Sequence, residues 1–311
     1  MNYADMHCDT LTVCRLCGGD LAECGLQTDI KRLARSGCKA QCFAIFTNGS
    51  GAKEEFLKHL AFFGRMLEKH GDIVLQAKTS GDLLRAEREQ KLAAILTVEN
   101  LGFTQGDISS FGFLKAEGVK MASLVWNTAN DYARPNLVLK NGVPSPQESE
   151  PRGLTALGKK AVKELDRLKI IIDISHLSDG GVDEILQNRK IPVVASHSNA
   201  RKVCGVGRNL TDAQIKKIAD CGGLVGINFH KDFLGEEGFS GVCKHLEHVI
   251  KVGGEDIPAF GSDFDGIPPS PQLENCLKMP ALLDYLSGRF SFRVLEKIAY
   301  KNFYGVFKQF D

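Results

Sequence analysis

Short apolar runs alternate with longer amphipathic stretches along the whole chain. The runs are nearly continuous in apolar residues, which is typical of parallel strands buried on both faces rather than of half-exposed strands. They predict strands over residues 3–8, 39–46, 92–98, 120–126, 170–175, 191–196, 223–229 and 257–262. Helical periodicity lies between them and predicts helices over residues 53–70, 153–168, 179–187, 211–220, 239–252 and 292–307.

Eight strands that alternate with helices in one chain favour a closed (β/α)₈ barrel, the TIM-type α/β architecture, over an open sheet. A length of 311 residues is compatible with one barrel, so residues 1–311 are expected to form a single domain. No glycine-rich phosphate loop follows any predicted strand, which leaves a nucleotide-binding open sheet without support.

Residues able to bind a metal follow several predicted strands. His7 and Asp9 point the same way at the end of the first strand, because side chains alternate along a strand. The third, fifth, sixth and eighth strands are followed by further candidates, namely Glu99, His176, His197 and Asp263. A closed barrel brings the carboxyl ends of its strands around one mouth, so these side chains are expected to converge.

Imidazoles and carboxylates without a required thiolate suit zinc, with manganese or iron as alternatives. No lysine ends a middle strand where a carbamylated bridge would form, so Glu99 is the expected bridging ligand. Two divalent metals about 3.5–4 Å apart could share a hydroxide and polarise a carbonyl group. The sequence therefore predicts a binuclear metal-dependent hydrolase.

Charge and composition exclude several other classes. The 39 basic and 38 acidic residues are well mixed and the net charge is +1, so neither a nucleic-acid-binding stripe nor a patch for anionic membranes is expected. The first residues resemble a strand rather than a leader, and no run is long enough to span a membrane. We expect a cytoplasmic protein.

The ten cysteines are expected to be reduced and non-catalytic. Cys14 and Cys17 have the Cys-x-x-Cys spacing of a small zinc or redox site, but no second such pair follows.

A series of motifs occurs in order along nearly the whole chain: His7-Cys8-Asp9, Val98-Glu99, Leu124-Val125-Trp126-Asn127, Asp173-Ile174-Ser175-His176, Ser196-His197-Ser198-Asn199, Arg208-Asn209, Asn228-Phe229 and Gly261-Ser262-Asp263-Phe264-Asp265-Gly266. In these motifs the chain resembles the membrane (renal) dipeptidase family. The Ser-His-Ser and Asp-Phe-Asp-Gly blocks are the most specific of them.

The resemblance implies a zinc dipeptidase, with dipeptides as substrates and a homodimer as a possible assembly. It implies that His7 and Asp9 hold one zinc, that His176 and His197 hold the other, and that Glu99 bridges them. Asp263 would be the acid and base that moves a proton from the metal-bridging water to the leaving amine. Arg208 would bind the terminal carboxylate of the substrate, for which its planar guanidinium is suited; the alternative is a surface arginine after a glycine-bearing turn.

One position departs from the mammalian members, which carry a substrate-binding histidine where this chain has Trp126. An indole donates one hydrogen bond and carries no positive charge. Asn127 or Asn130 could supply a polar contact instead. His230, just after the seventh predicted strand, could also meet substrate or be an exposed loop residue.

Two other function classes stay open at this point. Another metal-dependent barrel hydrolase, acting on a lactone or a different amide, would use much the same ligands. The second is a binding protein with a vestigial site. Such a protein is expected to have lost at least one metal-binding residue, whereas each expected one is present here.

Overall fold

The structure is a computed structural model that describes residues 1–140, 143–145, 153–268 and 270–311. Its strands are β1 (Tyr3–Cys8), β2 (Cys38–Phe46), β3 (Val74–Gln76), β4 (Leu92–Glu99), β5 (Val119–Ser123), β6 (Val138–Lys140), β7 (Val143–Ser145), β8 (Ile171–Asp173), β9 (Val194–Ala195), β10 (Leu224–Ile227) and β11 (Pro258–Phe260). Its helices are α1 (Thr10–Leu16), α2 (Ile30–Arg35), α3 (Ala52–Lys69), α4 (Ser80–Arg88), α5 (Phe111–Ala116), α6 (Ala156–Arg167), α7 (Asp179–Leu186), α8 (Asp212–Asp220), α9 (Lys231–Leu234), α10 (Gly238–Gly253), α11 (Met279–Ser287), α12 (Phe292–Glu296) and α13 (Asn302–Lys308).

The main sheet is a closed parallel barrel. Eight of its nine strands are paired in the order β2-β1-β11-β10-β9-β8-β5-β4, and the further pairing of β2 with β4 closes the ring. The short β3 pairs with the start of β4. The seam is continuous, with Cα partners from Ala40 opposite Ala93 to Phe46 opposite Glu99. The predicted (β/α)₈ fold is therefore confirmed, and each of the eight predicted strands has its counterpart.

Strand β5 is shorter than the sequence predicts, because it ends at Ser123 rather than at residue 126. The Ser123 hydroxyl accepts a bond from the Asn100 backbone N–H at 3.0 Å, and Asn130 donates to the Leu124 carbonyl at 2.7 Å. Side-chain bonds thus replace the strand ladder here, and the following residues form a loop at the barrel mouth.

The opposite end of the barrel is closed by the last helix. Phe303, Val306 and Phe307 of α13 cover a small apolar cavity inside the base of the barrel. The ammonium of Lys120 also lies there and donates to the Phe310 carbonyl at 2.7 Å. Among the described residues, α13 thus covers the base of the barrel, opposite the mouth where the strands have their carboxyl ends.

The ten cysteines are free thiols. Cys14 is buried whereas Cys17 is exposed, so the two residues of the Cys-x-x-Cys pair lie in different environments. Among the helices in the described part of the chain, none has the length and apolar character needed to cross a membrane.

Candidate metal centre and active site

The barrel brings the predicted ligands together at its mouth. His7 belongs to β1 and Glu99 is the last residue of β4, whereas the other candidates lie in the loops just after their strands. All of them are at most 8 % exposed, namely His7, Asp9, Glu99, His176, His197 and Asp263. Burying this many ionisable groups costs free energy unless they are paired or bind a metal, which marks the cluster as functional.

Three carboxylates surround the imidazole of His7. Its Nε2 lies 3.5 Å from Asp9, 3.8 Å from Glu99 and 3.7 Å from Asp263, and none of them is close enough to be its hydrogen-bond partner. Burial alone would lower the pKa of His7, but these carboxylates raise it to about 10. The position therefore attracts positive charge, which a proton or a bound cation can supply.

Glu99 lies between the two halves of the cluster. Its Oε1 is 2.9 Å from Nε2 of His176 and 3.5 Å from Nε2 of His197, while its Oε2 faces His7. Burial, followed by the charge of Asp9, raises the pKa of the Glu99 carboxyl well above its usual range. One oxygen directed at each half is the arrangement that a bridging ligand requires.

His176 presents a lone pair to the cluster. Its Nδ1 lies 2.8 Å from Oδ1 of Asn127, and an amide oxygen only accepts, so the ring proton is assigned to Nδ1 and Nε2 is bare. Burial lowers the pKa of His176, which keeps the imidazole neutral. Nε2 of His176 and the carboxylate of Glu99 are thus two acceptors in contact, which a cation between them satisfies.

Two sets of three side chains, which share His7 and do not include His176, could each hold a metal ion. Within the described residues, one group is His7, Glu99 and His197 and the other is His7, Asp9 and Asp263, with the atoms of each group within 4.8 Å of one another. A buried oxygen of Asp9 also has no hydrogen-bond partner. The donor set of imidazole nitrogens and carboxylate oxygens suits zinc.

Asp263 follows β11 in a left-handed backbone conformation, with φ of 65°. Its Oδ2 accepts a bond from Asn228 at 2.8 Å, and its Oδ1 faces His7. Burial raises the pKa of the Asp263 carboxyl to about 6, although the nearby His7 lowers it.

Gly266 makes room for the acidic half of the site. A Cβ at this position would lie 2.2 Å from Oδ2 of Asp9 and 2.5 Å from Oδ1 of Asp263. Sequence reasoning missed the role of Gly266 and that of Asn228, although both residues belong to the motifs that carry the family resemblance. Their contacts depend on neighbours in space that no local spacing reveals.

Arg208 is buried rather than a surface residue, so the alternative considered from the sequence is wrong. Its Nη1 donates to the Ser198 hydroxyl at 2.8 Å and its Nη2 donates to the His197 carbonyl at 3.0 Å. Its Nε has no partner, and the guanidinium lies 5.7 Å from the ring centre of Phe233 at the mouth. A buried cation with a free donor beside the cluster suits an anionic group of a ligand.

The cluster opens into a cavity of about 400 Å³ at the barrel mouth. Trp126 lines it, with its ring 4.7 Å from that of Phe46 and 6.2 Å from that of His176. His230 lines it as well; its ring stacks on Phe233 and its Nδ1 accepts from the Asp232 N–H, capping α9.

The two candidate asparagines have different surroundings. Asn127 lines the cavity, but its amide oxygen is held by His176. Asn130 makes its bonds within its own loop and to Asn100, so its role is structural.

A known protein family matches the whole chain. The family described as "Membrane dipeptidase (Peptidase family M19)" matches residues 1–311. An "uncharacterized protein in pqqA 5′ region" of Klebsiella pneumoniae is 32% identical over 238 residues, which cover 74% of this chain and 86% of that protein.

Two solved structures cover almost the entire chain. One is a metallopeptidase of family M19 named dipeptidase AC, which is 26% identical, covers 99% of this chain and 98% of its own, and has a TM-score of 0.89. The other is a metallopeptidase from Rhodobacter sphaeroides liganded with a phosphinate mimic of the dipeptide L-Ala-D-Ala; it is 25% identical, covers 100% and 99%, and has a TM-score of 0.87.

Proposed function

The chain belongs to the membrane dipeptidase family, peptidase family M19, which makes it a metal-dependent dipeptidase, and we propose that it works with two zinc ions bridged by Glu99. The observation that carries the proposal is the position of Glu99, with one carboxylate oxygen toward His7 and the other toward His176 and His197. In this proposal His7 and Asp9 hold one ion, and His176 and His197 hold the other.

The residues present fit such a pair of ions. The buried Nε2 of His7 and a buried oxygen of Asp9 lack hydrogen-bond partners, and Nε2 of His176 faces a carboxylate. When bound, zinc lowers the pKa of water to about 7 and polarises a carbonyl oxygen.

Asp263 is the proposed proton carrier. Its Oδ1 faces the cluster while Asn228 holds its Oδ2, so one oxygen is fixed and the other is left to accept a proton from the attacking water. The same oxygen would then deliver that proton to the leaving nitrogen, as general acid–base catalysis requires.

Arg208 is the proposed partner of the substrate's terminal carboxylate. Two of its nitrogens are held by Ser198 and the His197 carbonyl, so the guanidinium is fixed beside the metal ligands while Nε is free. A fixed cation close to the reacting centre favours a substrate whose carboxylate lies one residue beyond the scissile bond, which is a dipeptide.

The side chains that line the cavity are expected to influence which dipeptides bind. Phe46, Trp126 and Phe233 offer apolar surface, and His230 offers a polar edge. We propose that Trp126 and His230 contact the substrate, whereas Asn127 acts through His176. The phosphinate bound to the Rhodobacter sphaeroides protein mimics L-Ala-D-Ala, which supports including a D-residue at the second position among the candidate substrates.

A substrate panel tests the proposed activity. The purified protein, loaded with zinc, is assayed against L,L and L,D dipeptides, tripeptides, N-acyl amino acids and lactones. We expect dipeptides to give the highest kcat/KM. A preference for lactones would instead assign the site to another binuclear hydrolase.

Replacing Glu99 with Gln tests the bridge. The amide presents one oxygen instead of two, so we expect metal loading to fall at both sites, as measured by elemental analysis after dialysis. His176→Ala is the matched comparison, since it should weaken only one site. Normal loading with two ions in Glu99→Gln would remove Glu99 from the bridging position.

A further inference from the structure

A buried carboxylate stands behind the imidazole of His197. Asp173, the last residue of β8, accepts the Ser196 hydroxyl at 2.5 Å, and that same hydroxyl oxygen lies 2.7 Å from Nδ1 of His197. Asp173 also accepts the backbone N–H groups of Ser175 and Ser196, each at 2.9 Å. Asp173, Ser196 and His197 are 4 %, 0 % and 1 % exposed, so water does not compete for these bonds.

The positions of the protons in the hydrogen bonds from Asp173 through Ser196 to His197 follow from the chemistry of the three groups. A serine hydroxyl has one proton, and at 2.5 Å from a carboxylate that proton is donated to Asp173. The hydroxyl oxygen is then free only to accept, so Nδ1 of His197 must carry the ring proton and donate it. Nε2 is left bare, and it faces Nε2 of His176 at 2.9 Å and Glu99 at 3.5 Å.

The two histidines of the proposed second zinc site therefore have unequal support. His176 is held by the neutral amide of Asn127 at the mouth, whereas His197 is held through Ser196 by a buried anion. An anion behind the N–H of a ligating imidazole fixes the ring and raises its basicity toward the metal.

The barrel contains a second aspartate–serine pair with nearly the same hydrogen bonds, but with no imidazole bound to the serine. Asp5 accepts the Ser262 hydroxyl at 2.5 Å and its backbone N–H at 2.8 Å, as Asp173 does with Ser196. Each serine directly precedes a residue of the site, Asp263 in one case and His197 in the other. Among the described residues, however, the Ser262 hydroxyl contacts only the Asp5 carboxylate and backbone atoms of His7 and Phe264.

We propose that Asp173, acting through the Ser196 hydroxyl, is a positioning residue that holds His197 as the Nδ1–H tautomer and thereby strengthens its bond to zinc. The inference rests on the proposed function, because it assumes that His197 is a zinc ligand. Asp173 and Ser196 touch neither substrate nor metal in this account, so their effect is expected on metal affinity first and on turnover only through it.

Zinc titration of the metal-free protein tests the proposal, with Ser196→Ala as the variant and Ser262→Ala as the matched control. Both variants remove a buried hydroxyl bound to a carboxylate, so their losses of stability should be similar, as measured by thermal unfolding. With a competing chelator, we expect Ser196→Ala to weaken one of the two sites about 10- to 100-fold, as for other residues that support a ligand. Ser262→Ala should keep the wild-type affinities.

Imidazole ¹⁵N chemical shifts of the metal-free wild-type protein provide a second measurement. A variant is needed only to assign the signals of His197. We expect His197 to be protonated on Nδ1, and to lose that preference in Ser196→Ala. A wild-type His197 protonated on Nε2, or equal zinc affinities in Ser196→Ala and Ser262→Ala, would overturn the proposal. Wild-type protein that binds fewer than two zinc ions would instead contradict the binuclear site itself.

Discussion

The surroundings of Asp263 suit the proton transfer that we propose for it. Its left-handed backbone turns the carboxylate into the cluster, and Asn228 and the missing side chain of Gly266 fix where its oxygens lie. Asparagine tolerates the same backbone conformation and has nearly the same size, so Asp263→Asn should fold normally. It cannot accept the proton of the attacking water.

We therefore expect Asp263→Asn to keep both metals and to lose about 10²- to 10⁴-fold in kcat, the usual contribution of a positioned acid or base. Steady-state kinetics and elemental analysis on the same preparation check this. Loss of one metal along with activity would mean that Asp263 is mainly a ligand, and full activity would move the base role elsewhere.

Arg208 offers a second prediction at the scale of one residue. If its guanidinium binds the substrate carboxylate, the native enzyme should strongly prefer a free dipeptide over the same dipeptide with its carboxylate amidated. Removing the guanidinium in Arg208→Ala should raise KM for the free dipeptide. The lost binding free energy should be on the order of 1.5–3 kcal/mol, typical of a hydrogen bond to a charged group.

The ratio of kcat/KM for the two substrates separates this role from a structural one. In Arg208→Ala the preference for the free dipeptide should nearly vanish. If Arg208 only supports the fold through Ser198 and the His197 carbonyl, both substrates should lose activity in parallel and the ratio should not change.

At this scale the sequence could predict the types and approximate positions of the candidate ligands, because histidines and carboxylates at strand ends must meet at the mouth of a barrel. It could not predict the partners that orient them. Asn228 reaches Asp263 across 35 positions, and Asp173 reaches Ser196 across 23. The burial of Arg208 was hidden for the same reason, since its turn looks exposed when only its neighbours in the chain are considered.

At the scale of elements, the barrel strands could be predicted because two buried faces require continuous apolar runs. The short helices could not. Helix α1 has seven residues and begins directly after Asp9, so it is too short for a periodic pattern to show. The true end of β5 was also hidden, because Asn100 and Asn130 make the bonds that end it.

Two of the short helices begin at residues of the candidate site. Asp9 is the residue that precedes α1, and His230 caps α9 with its own ring. A helix that begins at a functional residue holds that residue's backbone in place while its side chain faces the cavity. The irregular elements are thus the least predictable part of the fold and the part nearest the chemistry.

At the scale of the whole molecule, the two ends of the barrel differ: the mouth holds the candidate site, and the closed end buries the ammonium of Lys120. Lys120 donates to the carbonyls of Lys78 and Phe310, and its ammonium lies 4.6 Å from the ring centre of Phe307. Burial lowers the pKa of Lys120 to about 8, and the charge of Lys115 acts in the same direction.

The sign of the resulting pH effect follows from proton binding. An unfolded lysine has a pKa of about 10.4, so between about pH 8 and pH 10.4 the unfolded chain holds a proton that the folded chain has released. Stability must then increase with pH across this window. Below pH 8 the folded protein bears the full cost of the buried charge.

Lys120→Met removes this dependence, because methionine fills similar apolar space without a titrating group. We expect the free energy of unfolding of the wild type, relative to Lys120→Met, to rise by an amount on the order of 1–2 kcal/mol from pH 8 to pH 10. Each pKa unit corresponds to about 1.4 kcal/mol, and solvent near the base of the barrel screens part of the effect. Urea unfolding of both proteins at several pH values measures the difference, in which the titration of groups present in both proteins, such as Lys115, largely cancels. Curves that stay parallel would show that Lys120 keeps an ordinary pKa, and hence that the closed end of the barrel admits water to its ammonium.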